Sequence, residues 1–295
     1  MGKLQDSMRS ALKIRGNSDR TIEIYLSCVR IFANHYKKSP LQITTKEIET
    51  FFQFLREHKK SDSTIHGYYV SLKTFYNINN LNERLPYIRF KRVINKIPLI
   101  LSKEKISLIL DSCNSLKYKT LFSLAYASGL RMSEIQNLTI SDLDFERKQL
   151  YVRNGKNAKC RYTILGDKTI QLLNVYMNVY KPHSYLFYNR NDSTSKINSE
   201  AVRREFRKLL TTNNLDTREI HMHTLRHCFA THLMENGTSL FYIMNLLGHS
   251  NIRTTMVYLH MQDLNKLNIV SPIDSLKSNP VVTNERQHDL FSATA

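Results

Sequence analysis

No stretch of the chain constrains its fold and chemistry more than His221 to His260, which reads HMHTLRHCFATHLMENGTSLFYIMNLLGHSNIRTTMVYLH. From His223, apolar residues recur at Leu225, Phe229 and His232/Leu233, close to the period of an α-helix with a buried stripe, and Gly237 supplies a stop. His223 and Arg226 are three apart, so both project from one face where that helix begins. A helix N-terminus in that position favours a phosphate. A second short helix is expected over Leu240 to Leu247, with Ile243 and Leu246 inward and its end at Gly248 and His249. A third, from Asn251 to His260, carries Tyr258. An arginine, several histidines and a tyrosine on consecutive turns describe a site for an anionic substrate.

Charge points the same way. The 295 residues include 43 Lys+Arg against 25 Asp+Glu, a net charge of +18, and such an excess favours a polyanionic partner. With 41% hydrophobic residues the chain can bury real cores, which excludes a disordered basic tail, and its length permits two domains. Cys28, Cys113, Cys160 and Cys228 are scattered without a C-x-x-C pair, so neither a disulfide framework nor a zinc knuckle is indicated. The N-terminal MGKLQDSMRSALKIRG lacks the apolar core of a signal peptide, and no apolar run approaches a membrane span. A cytoplasmic location away from membranes is expected.

Read in order, residues 1–81 predict a bundle of four helices. Ile22, Tyr25/Leu26, Val29, Phe32/Ala33 and Tyr36 make one buried stripe, and Ile65, Tyr68/Tyr69, Leu72 and Phe75/Tyr76 make another. Thr44 with Glu47 reads as a capping box between them. Residues 82–98, NERLPYIRFKRVINKIP, read as an extended basic linker in which Arg84, Arg89, Lys91, Arg92 and Lys96 would lie along phosphates. A second domain spans 99–270. Its helix from Tyr118 stops at Gly129 and delivers Arg131 into a turn, with Glu134 placed to grip that arginine as a bidentate pair. The segments RKQLYVR and AKCRYTIL alternate around Asn154-Gly155-Lys156-Asn157, the one β signal, and put Lys156 at a hairpin tip. A later helix, Ser199 to Thr212, carries Arg203, Arg204, Arg207 and Lys208 on a basic side suited to a groove.

Arg131 with Glu134, Lys156, His223-x-x-Arg226, Gly248-His249 and Tyr258, in that order and spacing, resemble the signature of the tyrosine recombinases, also called the lambda-integrase or phage integrase family. The architecture is similar to that of the Xer recombinases. The resemblance implies a fold that is mainly α with a small antiparallel β-sheet (α+β), in which the N-terminal bundle is a DNA clamp and the second domain is catalytic. It implies a site-specific recombinase that cleaves and rejoins DNA through a 3′-phosphotyrosyl intermediate, acting as a tetramer on two duplexes, in some cases with an accessory recombinase or directionality protein. Because one ester replaces another, no cofactor is required. Tyr258 would attack. Arg131 and Arg226 would hold the non-bridging oxygens with paired donors, as an arginine can and a lysine cannot. His249 would hydrogen-bond the same phosphate, His223 would assist proton transfer near the nucleophile, and Lys156, or else Lys159, would protonate the leaving 5′ oxygen.

Two other readings stand beside this one. His223 and His227 have the i, i+4 spacing of a zinc site, but Thr224 occupies the place of the catalytic glutamate and Arg226 would set a positive charge beside the metal, so no metal is expected. His227 and His232 then read as packing or hydrogen-bonding residues, and Tyr242 as core. The second alternative, a DNA-binding protein without catalysis, is opposed by the fully occupied motif. In the tail, residues 271–295, the chain beyond Pro280 is expected to be dispensable. Just ahead of it, Leu264, Leu267 and Ile269/Val270 offer a short apolar face for a neighbouring subunit.

Overall fold

The computed structural model describes residues 2–90, 98–153, 160–189 and 192–261, and the chain divides into two compact units, 1–96 and 97–295. The fold is mainly helical with small antiparallel sheets.

The first unit holds α1 (Gly2–Ile14), α2 (Asp19–Tyr36), α3 (Thr45–Glu57) and α4 (Asp62–Ile78). Local sequence sets their starts. Ser18 and Ser61 accept hydrogen bonds from the amides of Thr21 and Thr64, and Thr44 and Glu47 close a reciprocal capping box. The stripes expected from periodicity meet in one core built on Ile22, Phe32, Phe51, Leu72, Phe75 and Tyr76. Residues 82–90 differ from the extended linker the charge run suggests. Asn82–Arg84 form a 3₁₀ turn, and Leu81, Leu85, Ile88 and Phe90 pack on the bundle, with Phe90 edge-on to Tyr69 at 5.1 Å. The apolar residues between the charges decide this, because burying them outweighs leaving the segment solvated. Arg84 spends a guanidinium hydrogen bond on the Leu41 carbonyl, whereas Arg89 and Tyr87 are exposed. Lys91, Arg92 and Lys96 lie outside the described residues.

The second unit begins with α5 (Lys103–Asp111), α6 (Leu116–Ser128) and α7 (Met132–Asn137). A sheet follows, in which β1 (Leu143–Asp144), β2 (Gln149–Val152) and β3 (Arg161–Ile164) pair antiparallel in that order. β2 and β3 pair Val152 with Arg161 and Leu150 with Thr163. Beyond α8 (Asp167–Tyr180), a hairpin of β4 (Tyr188–Asn189) and β5 (Asp192–Lys196) leads to α9 (Ser199–Thr212). Neither β1 nor this hairpin shows in the sequence: β1 is two residues long, and Asp-Ser-Thr-Ser-Lys carries no apolar alternation.

The last helices build the site. α10 (Met222–Glu235) is followed by α11 (Leu240–Leu247), α12 (Arg253–Met256) and a 3₁₀ turn, Val257–Met261. Periodicity suggests one buried stripe on α10, but the helix is buried on nearly every side. Leu225 and Cys228 join the main core with α6, while Phe229, Ala230 and Met234 pack with Ile243, Leu247 and Tyr258 in a second cluster. On α11 the inward residues are Ile243 and Leu247, with Leu246 only partly buried. Tyr242, read as core, is 63% exposed because its face of the helix has no covering element among the described residues. Among the described residues no helix is long and apolar enough to cross a membrane.

Candidate active site

Gly129 ends α6 in the left-handed conformation, φ 61°, and a Cβ there would lie 2.3 Å from the Phe229 ring. Only glycine satisfies both the turn and the close approach of α10. The chain then presents Arg131 as the N-cap of α7. The Glu134 carboxylate accepts the Arg131 amide at 2.7 Å and one Arg131 guanidinium nitrogen at 2.8 Å.

The bidentate partner of Glu134, however, is not Arg131. Arg161 on β3 donates Nη1 and Nη2 to the two carboxylate oxygens at 2.8 and 2.9 Å, and its Nε to the Leu246 carbonyl at 2.7 Å. Sequence reading misses Arg161 because Tyr162 and Ile164 look like the inward residues of that strand. The alternation is present with opposite polarity: Arg161 and Thr163 are buried, and Tyr162 is 58% exposed. The pairing of Val152 with Arg161 accounts for this, since cross-strand partners share a face and Val152 is buried. Burial pushes the Glu134 carboxyl up, but the Arg161 hydrogen bonds and charge, the Arg131 amide and the Arg226 charge together bring it down to about 2. It stays ionised.

Arg226 is 1% exposed and donates to the Gly129 and Leu247 carbonyls, each at 2.6 Å. Its Nη1 also stands 3.8 Å from Glu134. It therefore ties the turn before α7 to the end of α11. Burial, and next the charge of Arg131, lower its pKa to about 9, so it remains a cation at neutral pH. Three guanidiniums, those of Arg131, Arg161 and Arg226, surround one carboxylate, which leaves two positive charges uncompensated. That excess matches the growing negative charge of a phosphoryl group under attack.

Gly248, φ 64°, closes α11 and aims His249 back at Arg226, whose Nη2 lies 3.1 Å from His249 Nε2. A guanidinium only donates, so Nε2 accepts and Nδ1 carries the proton that goes to Thr255 Oγ1 at 2.9 Å. Burial, then the charges of Arg226, Arg131 and Arg161, draw the His249 pKa down to about 3, which keeps the ring neutral. Tyr258, 3% exposed, stacks on His249 with ring centroids 6.5 Å apart. Burial raises its phenol, with Arg226 and Arg131 pulling the other way. The Tyr258 hydroxyl meets His227 Nδ1 at 3.1 Å. His223 is exposed at the start of α10, its ring edge-on to His227 at 4.7 Å.

The structure thus brings together Arg131, Glu134, Arg226, His249 and Tyr258, with His223 one helical turn from His227. Lys156 and Lys159 lie outside the described residues, although the strands flanking them pair as the alternation predicts. On α9, Arg203, Arg204 and Arg207 are all exposed, and Arg203 pairs with Glu200 at 3.1 Å. Arg203 and Arg207 line a cleft of about 330 Å³ shared with Arg218 and His221. The zinc alternative finds no group of three or more potential metal ligands among the described residues.

Residues 100–265 match the phage integrase family, and residues 4–80 match the N-terminal SAM-like domain of phage integrases. The chain is 32% identical over 273 residues to a tyrosine recombinase of Thermosipho africanus, covering 88% of this chain and 95% of that one. It is 29% identical over 272 residues to the tyrosine recombinase XerA of Saccharolobus solfataricus, covering 88% and 89%. Among solved structures it resembles a lambda integrase dimer bound to a COC′ core site, with TM-score 0.70 at 18% identity over 88% of this chain and 94% of that one. It also resembles the XerH site-specific recombinase bound to difH substrate in a pre-cleavage complex, with TM-score 0.67 at 22% identity over 86% and 79%.

Proposed function

The chain belongs to the phage integrase family and is a tyrosine-type site-specific recombinase, and on this footing we propose how its residues divide the work of cleaving and rejoining DNA. Tyr258 is the nucleophile. Its hydroxyl attacks the scissile phosphorus in line, the 5′ oxygen leaves, and the strand is held as a 3′-phosphotyrosyl ester until a 5′-hydroxyl from another duplex reverses the step. Arg131 and Arg226 hold the non-bridging oxygens, where fixed charge gains strength as the transition state forms. His249 completes that cradle: in the DNA-free protein it presents a lone pair to Arg226, so it must turn or gain a proton to donate to phosphate. His223 stands at the open side of the same turn, and Lys156 protonates the leaving oxygen, with Lys159 as the alternative.

Duplex DNA is contacted by exposed arginines of each unit, Arg89 in the first and Arg203, Arg204 and Arg207 in the second. Arg84 contributes less, since the Leu41 carbonyl already occupies it. Lys91, Arg92 and Lys96, which lie outside the described residues, add phosphate contacts between them in sequence. Four subunits act on two duplexes, with the apolar residues after Asp263 docking on a neighbour and an accessory recombinase or directionality protein assisting where the pathway requires one. One observation carries the catalytic assignment: Arg226 touches His249, and His249 stacks on Tyr258.

The test uses duplexes selected by the full-length protein from a random-sequence pool, then nicked so that the cleaved fragment diffuses away. Wild type should accumulate a covalent adduct on a denaturing gel, with or without chelator. Tyr258→Phe should bind equally and form none. An adduct that survives in Tyr258→Phe moves the nucleophile elsewhere, and an adduct lost to chelator and restored by a metal ion overturns the metal-free reading.

A further inference from the structure

The Tyr258 hydroxyl lies 3.1 Å from His227 Nδ1, and the two rings sit 5.7 Å apart. The spacing of the motif draws attention to His223, yet the ring contact of His223 is with His227, a perpendicular packing at 4.7 Å. His227 follows His223 by one helical turn and so reaches further under the 3₁₀ turn that carries Tyr258. A buried phenol must place its proton on an acceptor. His227 Nδ1 is the acceptor that faces it, provided the ring carries its own proton on Nε2.

We propose that His227 is a catalytic base that takes the Tyr258 proton as the phenol attacks DNA. The proposal rests on Tyr258 being the nucleophile. In the step, the Tyr258 O–H proton passes to His227 Nδ1 while an oxygen lone pair forms the new O–P bond. The P–O5′ bond breaks with its electron pair on the 5′ oxygen, which takes a proton from a separate donor, either Lys156 or water. On rejoining, His227 returns its proton to Tyr258. Protons and charge balance: one proton moves from Tyr258 to His227 and one from that donor to the 5′ oxygen, and on rejoining the attacking 5′-hydroxyl returns its proton to the donor.

The surroundings suit that task. Burial first, then His223, Arg226 and His221 on the same helix, lower the His227 pKa to about 4, which leaves it unprotonated before DNA arrives. From other elements, Arg131 at the start of α7 lends its positive charge to Tyr258 and eases loss of the phenolic proton, and the neutral ring of His249 stacks on it. A phosphodiester seated between Arg131, Arg226 and His249 would add a negative charge among those cations. That raises the proton affinity of His227 at the moment it must act. Without such a base a phenol with an intrinsic pKa of about 10 ionises too rarely at neutral pH to attack quickly.

The experiment measures single-turnover cleavage of the selected nicked duplexes by full-length wild type, His227→Asn and His227→Gln, restricted to preparations that match wild type in DNA affinity and melting temperature. A second substrate carries sulfur in place of the bridging 5′ oxygen, so that the leaving group needs no proton. The variants should cleave on the order of 10²- to 10³-fold more slowly at neutral pH. Their rates should climb with pH toward about tenfold per unit, because the phenol must then ionise to solvent, while wild type stays nearly flat. The sulfur substrate should leave the defect in place. A variant at wild-type rate with a flat profile overturns the proposal, and so does full rescue by sulfur, which would put His227 at the leaving group. An adduct persisting in Tyr258→Phe would instead refute the nucleophile assignment, so the two failures are distinguishable.

Discussion

Arg161 and Glu134, 27 residues apart in sequence, form a buried two-point pair, and the same arginine donates to the Leu246 carbonyl. One side chain thereby joins the carboxylate that orients Arg131 to the end of the helix that delivers His249. Among the described residues Arg161 makes no hydrogen bond to Arg131, Arg226 or His249, but Arg131 and His249 depend on what it holds.

Replacing Arg161 with Met should therefore lower the unfolding free energy by about 3 kcal/mol, the lower end of the cost of breaking a buried ion pair, because Glu134 keeps Arg131 as a partner. Cleavage should fall as well, through misplacement of Arg131. Denaturant unfolding checks the first effect and adduct formation the second. A variant as stable as wild type would show that the pair does not hold the site.

Acid should loosen the second unit in a defined window. The Glu134 carboxyl titrates at about 2 in the folded chain against a reference of 4.5. Its stabilisation is complete above the unfolded value and is lost as pH falls through the folded one, between about 4.5 and 2. The difference corresponds to about 3 kcal/mol. Glu134→Gln should flatten the stability profile across that interval, which thermal melts at stepped pH would detect.

The two arginines proposed to hold the phosphate should fail differently. The Arg131 side chain is 22% exposed and Glu134 also accepts its backbone amide, so Arg131→Ala should lose about 10²- to 10³-fold in cleavage with little loss of stability. Arg226→Ala removes the donor to two carbonyls as well, and should cost a further ~1–3 kcal/mol of folding free energy. Paired melts and single-turnover rates separate these outcomes.

Gly129→Ala and Gly248→Ala both force a side chain into left-handed backbone, but the consequences should differ. At Gly129 the added carbon meets the buried Phe229 ring at 2.3 Å, and about 2–5 kcal/mol should be lost. At Gly248 it meets the flexible Arg161 side chain at 2.8 Å, which can shift at lower cost while disturbing the Glu134 pair. Equal destabilisation in denaturant would contradict this ranking.

DNA affinity should fall steeply with salt. Phosphate neutralisation by the exposed arginines releases counterions, so raising salt from about 50 to 200 mM should weaken binding by ~10³-fold or more if six or more phosphates are engaged. Fluorescence anisotropy at stepped salt measures the slope, and a change of only a few-fold would rule out the clamp.

Much of this was legible in the chain. Periodicity and stop signals locate α10 and α11, and the Leu240–Leu247 span agrees at both ends. The capping box at Thr44 and Glu47 and the strands around residues 154–157 follow from local chemistry in the same way. The motif places Arg226, His249 and Tyr258 near one another because short turns leave the chain no other route.

What local sequence left open was direction. Arg161 faces inward because the Val152–Arg161 register puts it opposite a buried valine, and that register is set by pairing across the loop rather than by the strand's own residues. Glu134 had Arg131 within three residues, yet takes its bidentate partner from another element, since a carboxylate buried on folding binds whichever donors the packing brings to both of its oxygens. His227 reads as a packing residue until the 3₁₀ turn lays the Tyr258 hydroxyl against it. The sequence by itself determined most of the helices, their stops and the chemical groups available, although the helix expected over Asn251 to His260 is the short α12 and a 3₁₀ turn; the tertiary structure alone decided which of those groups touch, because contacts between distant elements depend on register and burial that no local window contains.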